Sequence, residues 1–373
     1  MNRSIVLVYL AAFGAFSSFY LLLGVVPLFA KEYGHGSSGA ANSTAVFMLA
    51  TVLAELVTTR VMRVIGTKYV LAVGVALMTV PVFALLFDTS LGLILIVSAI
   101  RGIGFAFVVV ASSTMVADLA PEGKRGEWIG LYGVIVSVPS IVFLAFGVWL
   151  VDQVGFSVLF VIAGSCVVFA VLTAVVRIPV GVAQELTGML HALRTRRVLP
   201  LAIVFTVSAL ASGLLITYLP LDFDSGVAAI GLFVMGVATT ATRWVAGRFA
   251  DRRDATVLLI PALALGVVGL LLVLFVTPLV IVGALLFGAA FGVLQNSSIH
   301  LMFDATGAPG YGAVSAIWNI AFDLGLGLGA FAFGVLAADY SLVVAAALLA
   351  LSIALIAFST RSGSSKSSQV TPG

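Results

Sequence analysis

The chain has 373 residues, of which 62% are hydrophobic and 9% charged, and its formal net charge is +3. Soluble domains carry roughly 25% charged residues, so a soluble globule of this make-up could not cover its own surface. The positive excess is no sign of nucleic-acid binding: of the 18 Lys and Arg residues, all but Lys31, Arg101 and Arg243 sit in alternate gaps between long apolar runs.

The first apolar run, Ile5 to Ala30, outlasts a signal-peptide core of about 7–15 residues and reads as an uncleaved first span. Crossing a hydrocarbon layer of about 30 Å takes about 20 apolar residues. Runs of that kind lie near 5–30, 43–62, 68–87, 91–116, 128–150 and 156–177, then near 199–220, 227–247, 255–276, 278–302, 312–336 and 340–360. In lipid the backbone must satisfy its own hydrogen bonds, which makes these runs helices. The expected class is an all-α polytopic membrane protein of twelve transmembrane helices. Its basic gaps hold Arg3, then Arg60, Arg63 and Lys68, then Lys124 and Arg125, then Arg177 to Arg197, then Arg248, Arg252 and Arg253, then Arg361 and Lys366. The other gaps hold Asp88, Asp152, Asp222, Asp224 and Asp339. Basic residues near span ends stay in the cytoplasm, which predicts a multi-pass inner-membrane protein with both termini cytoplasmic.

The expected layout is a first bundle at 1–178, a cytoplasmic linker at 179–198, a second bundle at 199–361 and a disordered tail at 362–373. In the linker, Leu186, Met189, Leu190 and Leu193 recur at helical spacing beside Arg194, Arg196 and Arg197. This fits a surface helix on the membrane or a plain basic tether. Pro81 and Pro139 are expected to kink spans 3 and 5. Gly102, Gly104, Gly325, Gly327 and Gly329 would admit close helix neighbours. Cys166 is the only cysteine, which leaves no disulfide within the chain and no cysteine metal site.

The chain also repeats itself. At one constant offset Gly102, Phe105, Ser112, Asp118 and Gly126 recur as Gly288, Phe291, Ser298, Asp304 and Gly312. Weak similarity between two six-span halves marks secondary transporters, whose binding site lies between the halves near the midplane.

Local motifs carry a resemblance. Gly247-Arg248-Phe249-Ala250-Asp251-Arg252 follows span 8, Arg101-Gly102-Ile103-Gly104-Phe105 lies in span 4, and Pro121-Glu122-Gly123-Lys124-Arg125-Gly126 leads to Gly130-Leu131-Tyr132 in span 5. With Trp318-Asn319-Ile320-Ala321-Phe322-Asp323-Leu324-Gly325 in span 11, the chain resembles the major facilitator superfamily, in its drug-efflux and arabinose-efflux-permease-like branch. The resemblance implies two pseudo-symmetric six-helix bundles with a central cavity lined by spans 1, 4, 7 and 10. Phe16, Tyr20 and Arg101, then Ser208 and Ser212, then Gln295 and Asn296, with Asn319 nearby, would face it. It also implies a cytoplasmic gate at Gly247, Arg248, Asp251 and Arg252, with Asp118 and Asp304 at nearby span ends. After span 2 the same signature has decayed, and Arg63 stands where the family has Asp. A carboxylate there would brace a helix N-terminus, which is partly positive, so one of two latches is expected to be lost and Asp251 to serve alone near Gly126.

Glu55, Arg101, Arg243 and Asp323 lie inside spans and sum to zero charge. Each costs about 2.5–3.5 kcal/mol at mid-bilayer unless paired or wet. Either Asp323 or Glu55 carries a proton as the halves rock, with Arg101 holding an anionic group or a carboxylate, or the four form static pairs with Arg243 structural. Asp118 and Asp304 are expected beside loop arginines, and His300 in a local structural role. No phosphate-binding Gly-rich loop, histidine ligand spacing or catalytic set stands out, so no enzyme activity, cofactor or metal is expected. Few amides and many aromatic side chains favour an apolar or amphipathic substrate. The expectation is a monomeric secondary transporter working by alternating access, proton-coupled, exporting small apolar or amphipathic molecules. The alternatives are a symporter importing a small metabolite and a non-transporting membrane sensor or scaffold on the same fold.

Overall fold

A computed structural model describes residues 3–119, 125–170, 186–250, 252–275, 277–307, 310–336 and 338–364. These residues are helical, without strands. In chain order the helices are α1 (Arg3–Ala30), α2 (Gly36–Ile65), α3 (Thr67–Thr79), α4 (Leu91–Leu119), α5 (Arg125–Ser165), α6 (Leu186–Arg194), α7 (Val198–Asp222), α8 (Ser225–Ala250), α9 (Thr256–Phe275), α10 (Val280–Thr306), α11 (Tyr311–Val335) and α12 (Ala338–Ser364).

Ten continuous stretches among the described residues are long and apolar enough to cross a membrane. Two are too long for one crossing. Arg3–Ile65 has 63 residues and Leu131–Ala170 has 40; as straight helices they would run roughly 95 and 60 Å at about 1.5 Å per residue. Each is interrupted by glycine with positive φ, at Gly34 (90°) and at Gly155 (77°), where an L side chain would be strained. Both therefore hold two crossings, giving twelve. Apolar side chains such as Leu49, Leu53, Leu328 and Phe331 stay exposed on these helices, as helices bathed in lipid require.

Three expectations need adjustment. Pro81 ends the regular helix, and Val80–Leu86 continues as a 3₁₀ helix. At Pro139, by contrast, helical dihedrals continue, and the only non-helical residue in α5 is Gly155; proline removes one donor, yet its fixed φ is a helical value. The last helix runs to Ser364, past the expected start of the tail at 362, and the remainder of that tail lies outside the described residues. Residues 171–185, the expected end of span 6 and most of the linker's first half, lie outside them too. The linker's second half forms α6, where Ala192 is buried and Leu190 is exposed.

The chain packs into two compact units. One comprises Met1–Gln184 with Ile216–Phe233 and Ala330–Val335, the other Glu185–Leu215 with Val234–Gly329 and Leu336–Gly373. In the first, Leu22, Val25 and Phe29 of α1 pack with Val82 and Leu85, with Ile94 of α4 and with Leu159 and Phe160 of α5.

The internal repeat holds at the level of single hydrogen bonds. In the first unit Thr51 of α2 donates to the carbonyls of Phe47 (2.9 Å) and Gly102 (3.1 Å). In the second, Thr239 of α8 donates to those of Met235 (2.8 Å) and Gly288 (3.0 Å). A Cβ on Gly102 would strike the Phe47 carbonyl, and one on Gly288 the Met235 carbonyl, so glycine is what lets each helix pair close. A second device is shared. Ser112 of α4 donates to the Val108 carbonyl, so its oxygen accepts from the Tyr132 hydroxyl of α5 at 2.7 Å. Ser298 of α10 donates to the Gln295 carbonyl and accepts from Nε1 of Trp318 in α11 at 3.2 Å. Tyr132 and Trp318 occupy equivalent places in the repeat.

A double-mutant cycle on Ser112→Ala and Tyr132→Phe, followed by denaturation in micelles, should give a coupling of about 0.5–1.5 kcal/mol. The cycle on Ser298→Ala and Trp318→Phe should give a similar coupling, and additive losses in both would show that the rivets contribute nothing.

Two helix starts outside the membrane are capped by carboxylates. Asp88 Oδ1 accepts from the Ser90 N–H ahead of α4 (2.8 Å), and Asp254 Oδ1 from the Thr256 N–H ahead of α9 (2.8 Å). The Thr256 hydroxyl and N–H, with Arg197 nearby, hold the Asp254 carboxyl below the usual carboxylate range. A depressed carboxyl stabilises the fold above its unfolded pKa and loses that contribution as pH falls through its folded value. Asp254→Asn should therefore lower the thermal midpoint slightly at pH 7, and the gap to the parent should close as pH drops below about 4.

Candidate functional site

In the first unit an aromatic cluster surrounds a buried cation. Phe19 of α1 stacks on Phe105 of α4 (centroids 4.2 Å) and on Phe47 of α2 (5.3 Å). Phe16 meets Phe105 edge-on at 5.5 Å and lies 6.3 Å from Tyr20. Arg101, one turn before Phe105, is only 3% exposed. Its Nε donates to the Met78 carbonyl (3.1 Å) and its Nη2 to the Ser18 carbonyl (3.4 Å), and its guanidinium lies 5.5 Å from the Phe47 ring centre. Arg101 thus ties α4 to α3 and α1 through backbone oxygens. Among the described residues it has no ion pair with a carboxylate. A small pocket beside it is lined by Phe19, Phe47, Ser43, Thr44 and Ser98, with Leu22, Leu23, Val26 and Pro27 of α1. Glu55 belongs to the same unit, buried on α2.

The second unit holds a ring stack in place of the cation. Phe205 of α7 is near-parallel to Trp318 (4.5 Å, 13°) and to Phe291 of α10 (6.3 Å, 13°), and Phe322 lies one turn along α11 from Trp318, their planes 7° apart. Arg243, half-buried on α8, places its guanidinium 5.8 Å from the Trp318 ring centre. Asp323, on the same helix as Trp318, is 3% exposed.

The polar candidates of this unit take different positions. Ser208 and Ser212 are buried in α7, and the Ser208 hydroxyl donates to the Val204 carbonyl one turn back (2.8 Å). Gln295 is buried, while Asn296 and Asn319 are half-buried. The enclosed Oδ1 of Asn296 meets no described hydrogen-bond donor, and its amide lies against Gly247, where an added Cβ would come within 3.2 Å of Nδ2. The loop signature and the span-10 amide therefore meet at one glycine, a link that spacing alone did not reveal.

Of the expected gate, Arg248 is exposed and lies 3.8 Å over the Trp244 ring, and Arg252 is exposed. Asp251 lies outside the described residues. Asp118 is half-buried at the end of α4. Asp304 is 3.5 Å from His300, one turn back on α10, where the i, i+4 spacing on a helix brings the imidazole beside it. At the opposite, acidic-loop end of the helices, Lys31 donates to the Leu221 carbonyl in the last turn of α7.

Comparison with known proteins gives this geometry a family. The sequence profile of the Major Facilitator Superfamily matches residues 8–330. A protein of Bacillus subtilis (strain 168), described as the uncharacterized MFS-type transporter YtbD, is 22% identical over 357 residues, covering 89% of this chain and 88% of that protein. Among solved structures, the D-xylose-proton symporter superposes with a TM-score of 0.74 at 15% identity, covering 95% of this chain and 96% of the other. The nucleoside transporter NupG gives 0.72 at 14%, covering 95% and 99%. The human organic anion transporter MFSD10 gives 0.65 at 19%, with the same coverage. These likenesses establish the fold, and the profile spans most of the chain: this integral multi-pass membrane protein belongs to the Major Facilitator Superfamily of transporters.

Proposed function

We propose that the protein is a proton-coupled secondary transporter that exports small apolar or amphipathic molecules by alternating access. It would act as a monomer in the bacterial inner membrane with both termini in the cytoplasm, as the alternation of basic and acidic gaps suggests. The observation that carries the coupling is the burial of Asp323 (3% exposed) and Glu55 (9%) within membrane-spanning helices. An ionised carboxyl group is costly there, and a carboxyl that gains and loses a proton changes its fit between two states. The aromatic clusters around Phe19 and Phe205 support an apolar substrate, since ring faces bind by area rather than by hydrogen-bond matching. Asp251 would brace the start of span 5 as the remaining latch of the basic-loop gate.

A second reading, import of a small metabolite together with a proton, is favoured by one observation. Arg101 is a buried cation that has no carboxylate partner among the described residues, and an anionic substrate would supply one.

Proteoliposomes under an imposed pH gradient test both. Gradient-driven transport should fall at least about tenfold in Asp323→Asn or Glu55→Gln if either carboxyl carries the proton, while exchange of substrate without a gradient persists. Unchanged gradient-driven transport in both variants would remove the proton from the mechanism. Substrate accumulating in the direction of proton flow would select cotransport and import, and accumulation opposite to proton flow would select exchange and export.

A further inference from the structure

We infer that the pocket beside Arg101 is a binding subsite for an organic carboxylate, the charged head of a substrate whose remainder is apolar. The inference rests on the transport reading and names the substrate class of that site.

The chemistry of the lining points one way. The two carbonyl bonds of Arg101 leave further guanidinium N–H groups on a side chain that borders the pocket. Its paired N–H groups match the two oxygens of a carboxylate. Three hydroxyl side chains, Ser43, Thr44 and Ser98, stand around the same space. Ser43 is spent on the Ala40 carbonyl (2.7 Å), which leaves Thr44 and Ser98 as the hydroxyls to donate. Phe19 and Phe47 add ring surface.

The charge balance agrees. A guanidinium that is 3% exposed has given up most of its hydration, and backbone carbonyls offset only part of that loss because they are dipoles. An anion arriving there meets a cation already desolvated and held in place, and the pocket, with room of about 10 Å³, roughly that of one water molecule, must widen to admit it. The other lining residues, Leu22, Leu23, Val26 and Pro27, have nothing to offer a second charged group. They suit the alkyl or aryl part next to the carboxylate. A dianion or a sugar would leave polar groups against these side chains, at a cost of roughly 1–3 kcal/mol each.

The test is direct binding to the purified full-length protein in micelles without any gradient, using radiolabelled octanoate, with octanamide as the neutral competitor and acetate and chloride as small anions. Octanoate should bind saturably, and octanamide should compete at least about tenfold more weakly, since it lacks the charge-assisted pair. Arg101→Gln should abolish binding, and Arg101→Lys should keep part of it. Because Arg101 also ties three helices, the decisive variant is Ser98→Ala with Thr44→Val, which leaves those ties in place. It should weaken octanoate binding about three- to tenfold through lost hydrogen bonds. Equal competition by octanamide, or octanoate binding in this double variant at parental strength, would overturn the subsite. Acetate or chloride competing as well as octanoate would assign the pocket to small inorganic or simple anions and overturn the substrate class. Loss of octanoate binding with gradient-driven transport intact would sink the subsite alone. Intact binding with no effect of Asp323→Asn or Glu55→Gln on transport would sink the coupling alone.

Discussion

Inside a bilayer there is no water to complete a hydrogen bond, and this one constraint shapes most of the polar chemistry in the fold. Hydroxyl side chains within the spans bond back to their own helices: Thr58 to the Ala54 carbonyl, Thr79 to Val75, Ser352 to Leu348. Each such bond disposes of the hydroxyl proton and leaves the oxygen able to accept. Where a neighbouring helix brings a donor, that oxygen becomes a tie between helices, as Ser112 does for Tyr132 and Ser298 for Trp318. Arg101 meets the same constraint from the other side. It is all donor, and it settles on backbone carbonyls of α1 and α3.

The two halves share this scaffold and differ in what they mount on it. Thr51 and Thr239, Gly102 and Gly288, Ser112 and Ser298 do the same work in each. The place of Arg101 in the first half is taken by Phe287 in the second, and the places of Val109 and Val110 by Gln295 and Asn296. Duplicated helix contacts keep the internal geometry of each unit. The unmatched positions are free to carry chemistry, and the buried cation, the amides and Asp323 all fall on them. Within the spans, Glu55 and Arg243 are the one pair of repeat equivalents that are both charged, with opposite sign.

The sequence made the architecture legible because a membrane span is a strong, local signal. Helix α8, expected at 227–247, runs Ser225–Ala250, and α11, expected at 312–336, runs Tyr311–Val335. The reversal between the first two spans was less legible. The helix resumes at Gly36 rather than near 43, because small polar residues such as Ser37, Ser38 and Asn42 read as loop although they pack well in helices when neighbours are close. Arg101 was visible as a charge in an apolar run, but its acceptors are carbonyl oxygens, which every residue has and no pattern announces. The ties at Ser112 and Ser298 were half visible: the serines match in the repeat, while their partners, a phenol and an indole, share a donor function but not an identity.

Under the proposed proton coupling, charge balance bears on the direction of transport. Each unit carries one acid and one base within its spans, Glu55 with Arg101 in the first and Arg243 with Asp323 in the second, so the embedded region is neutral when both acids are ionised. Net charge inside a low-dielectric layer is penalised at several kcal/mol per ion. A neutral substrate leaves that balance unchanged and a proton shifts it by one, so charge alone gives no reason for the two to be bound together. A carboxylate on Arg101 changes the comparison. Bound alone it leaves the region at minus one, bound with a proton on Asp323 or Glu55 it restores zero, and the jointly loaded form becomes the easiest to carry across. Under the proposed coupling, the same charged residues would favour cotransport for a carboxylate and leave a neutral amphiphile without that preference, so the charge of the substrate would bear on which way a proton gradient drives it.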